Sequence, residues 1–159
     1  MRIRTVFRNV FAGVALSIFL IASAGAAGLS GEKIKAPDLI LQNPAGDKTH
    51  LSAYLGKKPV LLVFWASWCT ICRDEITELK KLNSRFTVIA VNEGESAWKT
   101  KRFISMNGID YQVALDPDGA IAKAMQVPGV PACAVLDKSG LIVYRGLGLP
   151  ENIESYAGK

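Results

Sequence analysis

Histidine is almost missing from this chain, which has one, His50, and cysteine is scarce, with three in 159 residues. The single His falls in a stretch that reads as a turn, so it is expected at the surface rather than as a metal ligand. An odd number of cysteines argues against a framework of structural bridges and for at least one thiol with another purpose. Stability must therefore come from a core, and with half the chain apolar a core can form. Internal repeats are absent, and so is a linker that would separate two domains. The chain also lacks a basic patch. Its Lys and Arg are interleaved with acids, as around Lys57-Lys58 and Lys99 to Arg102, which describes a solvated face and gives no reason to expect nucleic acid.

The first 31 residues contain no acid. Arg2, Arg4 and Arg8 precede an uncharged run from Asn9 to Gly31, most apolar from Val10 to Ala22, followed by small residues. This is the layout of a secretory signal, with cleavage expected after Ala24 or Ala26. Val10 to Leu29 would also suffice to span a bilayer, since about 20 apolar residues do so, so residues 1–26 are a signal peptide or an N-terminal membrane anchor. No Cys lies in or just after this segment, which excludes a lipid-modified N-terminal cysteine. Either form puts residues 27–159 outside the cytoplasm, in the periplasm or another extracytoplasmic space. Without the three leader arginines the formal charge of +5 falls to about +2, and the remaining length suits one domain.

Within that domain the apolar run Val60 to Trp65 reads as a strand covered on both faces. It feeds Trp68-Cys69-Thr70-Ile71-Cys72, and Ile76, Leu79 and Leu82 then recur at helical spacing, so a helix is expected from Cys69 to Leu82. Two thiols three residues apart at a strand-to-helix turn form a dithiol/disulfide redox site. The first thiolate is favoured by unpaired helix N–H groups and the helix dipole. A Cys-x-x-Cys alone would be equally at home in a zinc site.

Around this centre, short β pieces at Leu39 to Leu41 and Thr49 to Leu51 flank a Pro44-Ala45-Gly46-Asp47 turn, giving a small N-terminal hairpin. Further strands are expected at Phe86 to Val91, Tyr111 to Leu115, Cys133 to Leu136 and Leu141 to Arg145, the last two joined by a tight turn at Asp137-Lys138-Ser139-Gly140. Ser96 to Met106 reads as a helix, and Asp116-Pro117-Asp118 caps a short one ending at Met125. The order implies a mixed α/β sheet.

The combination of Phe64-Trp65-Ala66-Ser67-Trp68-Cys69-Thr70-Ile71-Cys72-Arg73-Asp74-Glu75, Val127-Pro128-Gly129-Val130-Pro131 and Leu136-Asp137-Lys138-Ser139-Gly140 resembles the TlpA/ResA-like thioredoxin-fold thiol:disulfide oxidoreductases, over residues 36 to about 146. The resemblance implies a central mixed β-sheet flanked by helices, with Cys69 as the exposed nucleophile and Cys72 as the resolving thiol buried behind it. It implies a cis bond before Pro131, opposite the redox pair. It places Glu75 beneath the disulfide as a proton shuttle for Cys72, although a surface acid near a helix N-terminus would suit the same position. Val63 occupies the site where thioredoxin keeps a buried Asp. Trp68, before the first Cys, is expected to shield the disulfide, and Arg73 to be a solvated helix residue or a source of positive potential.

The resemblance implies no cofactor and no resident metal. The partners it implies are proteins carrying a disulfide or dithiol, such as apocytochromes c or copper-site assembly factors, with a membrane thiol-reductant as electron donor. Contact with the membrane is expected only through an uncleaved N-terminal segment.

Several residues depart from the family pattern. Thr77 replaces a helix-kinking proline, so the active-site helix is expected to be straighter. Thr70-Ile71 replaces the usual proline-containing pair, which leaves the potential open. Thirteen residues follow Gly146, so a shortened C-terminus is expected, with at most a short helix from Glu151 to Tyr156. The residues before Cys69 lack the Pro and Thr of a peroxiredoxin site. Cys133, two positions after Pro131, is either a small buried hydrophobe or a third thiol that forms an alternate disulfide or helps bind a soft metal such as Cu(I). That leaves a metal-binding module without turnover as the alternative function.

Overall fold

The computed structural model describes residues 34–158. The expected leader or anchor at 1–26 lies outside the described residues, as does 27–33. Among the described residues no helix is long and apolar enough to cross a membrane.

The strands are β1 (Ile40–Gln42), β2 (Lys48–His50), β3 (Val60–Trp65), β4 (Thr87–Glu93), β5 (Gln112–Asp116), β6 (Ala132–Leu136) and β7 (Ile142–Leu147). The helices are α1 (Thr70–Asp74), α2 (Ile76–Leu82), α3 (Ala97–Asn107) and α4 (Ala120–Ala124). One seven-stranded sheet runs in the order β2-β1-β5-β4-β3-β6-β7. β3 is parallel to β4, and β4 to β5, as helical crossovers require, whereas β6 and β1 join antiparallel at either side.

β3 lies inside the sheet between β4 and β6 and is buried throughout, with its side chains alternating between two core layers. Leu61, Val63 and Trp65 face α2, α3 and the redox pair, while Val60, Leu62 and Phe64 face α4 and the 3-10 turn Leu51–Tyr54. Each such side chain contributes on the order of 1.5–3 kcal/mol by leaving water. The expected mixed sheet with helices on both faces is thus observed.

Local chemistry explains the ends of the elements. Asn43 organises the β1–β2 turn, its side-chain oxygen accepting from Gly46 and Asp47 N–H at 2.9 and 3.0 Å, with Gly46 at φ 106°. Ser96 caps α3, which ends at Gly108 in the left-handed region. Asp116 is buried and reaches forward to accept from the N–H groups of Ile121 and Ala122 at 3.0 and 2.9 Å, satisfying donors at the start of α4.

Two expectations are corrected. The helix expected from Cys69 to Leu82 is two elements, interrupted at Glu75 although no proline is present. At ψ −15° the turn tightens there, the Glu75 N–H is drawn toward the carbonyls of Ile71 and Arg73, and the side chain is half-buried. The short C-terminal helix is a 3-10 segment, Ile153–Tyr156, whose Ile153 is buried against the layer holding the redox pair. Arg85 pairs with Glu154 beside it.

Candidate active site

β3 delivers the chain to the loop Ala66 to Trp68, where Cys69 N–H bonds to the Ala66 carbonyl at 3.1 Å. Cys69 is the N-cap of α1, and its Sγ accepts from the Cys72 N–H at 3.2 Å. Cys69 and Cys72 form a disulfide with Cα atoms 5.3 Å apart. The sulfur that caps the helix is the one whose anion the free N–H groups and the dipole stabilise.

In this oxidised pair Cys69 is 6% exposed and Cys72 5%. The expected contrast between an exposed and a buried cysteine is absent in this oxidised pair, both residues being buried. Exposure belongs instead to the neighbours: Trp68 is 66% and Ile71 60% exposed. Trp65 is the tryptophan in the core, 4.8 Å from the Phe103 ring.

Several groups share the sheet face that carries the pair. Glu75 is half-buried and accepts from the Leu149 N–H; burial raises its pKa above the ordinary value and that bond opposes the rise. Cys133 is fully buried, stands beside Val63 in the β3–β6 register, and donates its S–H to the Gly148 carbonyl at 3.1 Å. Burial, with the nearby Glu75 carboxylate, pushes the Cys133 thiol up to about 12. Burial and the charges of Asp110 and Glu75 likewise raise Tyr111. Gly148 and Leu149, just after β7, therefore touch both the third thiol and the acid.

The Val130–Pro131 peptide is cis and immediately precedes β6. The Pro131 carbonyl accepts from the Gly148 N–H at 3.0 Å. Arg73 is exposed, its Nη2 donating to Thr70 Oγ1 at 3.3 Å. His50 is exposed and pairs with Asp38 at 3.2 Å. Among the described residues no three His, Cys, Asp or Glu side chains converge as a metal site would require.

Sequence reasoning missed a buried polar group at the loop. Glu95, 6% exposed, accepts from the Ser67 N–H at 2.8 Å and from the Ser67 hydroxyl at 2.7 Å. Asn92 Nδ2 donates to it at 2.8 Å, Lys99 pairs with it, and the Thr100 hydroxyl donates to Asn92 Oδ1 at 2.8 Å. Burial opposes ionisation, but the bonds from Asn92, Lys99 and Ser67 outweigh it and hold the carboxyl at about 2. The available signal was Asn92 and Glu95, two polar residues three apart at the end of the apolar run that forms β4.

The chain matches the AhpC/TSA family over residues 33–145. It belongs to that family. The thiol-disulfide oxidoreductase ResA of Bacillus subtilis (strain 168) is 30% identical over 132 residues, 80% of this chain and 73% of that protein. The thiol:disulfide interchange protein CycY of Rhizobium leguminosarum bv. viciae is 34% identical over 110 residues, 67% and 59% of the two chains. Among solved structures, a DsbE-type thiol:disulfide interchange protein of Chlorobium tepidum superposes with a TM-score of 0.69 at 29% identity, covering 79% of this chain and 94% of that one. The fold is thioredoxin-like, and the protein is a thiol:disulfide oxidoreductase of the TlpA/ResA-like kind.

Proposed function

We propose that this oxidoreductase is exported and works as a reductant of disulfides in partner proteins, such as apocytochromes c or metal-site assembly factors. Residues 1–26 are its signal peptide or membrane anchor and 27–159 its thioredoxin-like domain. The observation that carries the reading is a Cys69–Cys72 pair with Cys69 capping α1 and Glu75, its pKa raised, on the same sheet face.

In the reaction the Cys69 thiolate attacks one sulfur of the substrate disulfide, forming a mixed disulfide and expelling the other substrate sulfur as a thiolate. Cys72 then attacks the Cys69 sulfur, releasing the second substrate thiolate and closing the Cys69–Cys72 bond. Two electrons pass to the substrate, and a membrane thiol donor restores the dithiol. Glu75 takes the proton that Cys72 loses, a role suited to a half-buried carboxyl of raised pKa. By the family resemblance Pro131, with no N–H, leaves the preceding backbone free to pair with an incoming chain, and Trp68 and Ile71 give that chain apolar surface.

The reduction potential tests the direction. Tryptophan fluorescence in glutathione and dithiothreitol buffers should place the couple well below about −200 mV, nearer thioredoxin than an oxidant such as DsbA at about −120 mV. A value near the latter makes the protein a disulfide donor, and tight Cu(I) binding without a reversible couple makes it a metal module. N-terminal sequencing of the exported protein reads the cleavage site after Ala24 or Ala26, and a membrane-bound chain still carrying Met1 is the anchored form.

A further inference from the structure

The Cys69–Cys72 bond clamps the active-site loop in the oxidised protein, and the clamp disappears on reduction. The loop then depends on its remaining ties to the body of the fold. The turn bond from Cys69 N–H to the Ala66 carbonyl is local to the loop. The bonds of Ser67 to Glu95 cross 28 residues of sequence and fasten the loop to the segment between β4 and α3.

Ser67 offers both its hydroxyl and its backbone N–H to the two carboxylate oxygens of Glu95. Those oxygens are held from behind by Asn92 Nδ2 and the Lys99 ammonium, and Asn92 is itself fixed by Thr100. A buried carboxylate with every partner satisfied is rigid, because any rotation leaves a desolvated charge unpaired. We propose that Glu95 is a positioning residue for the redox pair, gripping Ser67 so that Cys69 keeps its place at the N-cap of α1 once the disulfide opens. This rests on the reading of Cys69 as the attacking thiol.

At the N-cap the Cys69 thiolate receives N–H groups and the positive end of the helix dipole, and these lower its pKa. Displaced from that cap it loses both. A nearby carboxylate acting only through its charge would have the opposite effect, since removing a negative charge favours a thiolate. The sign of the change therefore separates grip from charge.

The test uses the full chain, reduced, with the rate of Cys69 alkylation by iodoacetamide followed against pH by mass spectrometry of the Cys69 peptide. Ser67→Ala and Glu95→Gln should each raise the Cys69 titration and slow its neutral-pH alkylation by about threefold to tenfold, as a small displacement of a reacting group does. The double variant should be no slower than Glu95→Gln alone. Ser67→Thr, which keeps the hydroxyl, should react as the wild type does. If Glu95→Gln does not fold, the Ser67→Ala and Ser67→Thr pair decides the matter. Amide exchange at Trp68 and Cys69 should quicken in the reduced Ser67→Ala protein and scarcely change in the oxidised one. Faster alkylation in Glu95→Gln with none of these changes in Ser67→Ala overturns the proposal. Wild-type Cys69 reacting no faster than an ordinary free thiol overturns instead the reading on which it rests.

Discussion

Acid should weaken this fold through Glu95, and the size of the effect follows from its surroundings. Burial opposes its ionisation, yet the bonds from Asn92, Lys99 and Ser67 bring the carboxyl from 4.5 to about 2. Because the folded value lies below the unfolded one, the stability it contributes is complete above about pH 4.5 and lost as pH falls through 2. At neutral pH the fall to about 2 is worth about 3 kcal/mol, since each pH unit corresponds to about 1.4 kcal/mol. Of that, about 2 kcal/mol is gone by about pH 3. The perturbation is Glu95→Gln, which keeps the shape and deletes the charge. Urea unfolding of the oxidised full chain and this variant, between neutral pH and about pH 3, measures the difference. The wild type should lead by the largest margin at neutral pH, still hold nearly all of it at about pH 5, and lose about 2 kcal/mol of it by about pH 3. A gap that stays constant across this range, or widens on acidification, refutes the account of Glu95 as a buried, fully bonded anion.

Glu75 carries the opposite sign. Its folded pKa is raised by burial, so its contribution to stability is present below the unfolded value of 4.5 and lost as pH rises through the folded one. Glu75→Gln should therefore unfold at higher urea than the wild type at neutral pH, with the gap closing on acidification, while slowing thiol–disulfide exchange about tenfold or more. Unchanged exchange at every pH would end its assignment as the proton carrier. Cys133→Ala removes a fully buried sulfur and should cost about 1–2 kcal/mol in urea unfolding, leaving the Cys69–Cys72 couple where it was. In the folded wild type, Cys133 should resist iodoacetamide, its thiol being pushed up to about 12. A displaced couple, or a disulfide to Cys133 mapped by mass spectrometry, would make it a redox partner instead.

Much of the fold was legible because its signals are local. Six consecutive apolar residues from Val60 to Trp65 have the pattern of a strand covered on both faces, and they form the fully buried interior strand β3. Ser96 and Gly108 bound α3 through capping and left-handed geometry, which depend on a few residues. The boundaries elsewhere drifted by a residue or two, as strand ends do when pairing rather than composition sets them. The break at Glu75 was not legible, because the absence of proline removes one cause of an interrupted helix and says nothing of the others.

The sequence by itself determined the placement of two thiols, Cys69 and Cys72, on a strand-to-helix turn with an acid, Glu75, three residues further on, a spacing the covalent chain enforces. The choice of a redox pair over a zinc site, and the part given to Pro131, came from the combination of motifs that resembles the TlpA/ResA-like family. Tertiary structure alone decided what surrounds them. It buried both cysteines of the pair nearly equally, set Cys133 against the Gly148 carbonyl, and closed Ser67 onto Glu95 across 28 residues. Such contacts depend on which strands pair and which faces pack, and no local spacing encodes them. The electrostatic character of Glu75, Glu95 and Cys133 is set by burial and partners, so it too appears only once the sheet has formed.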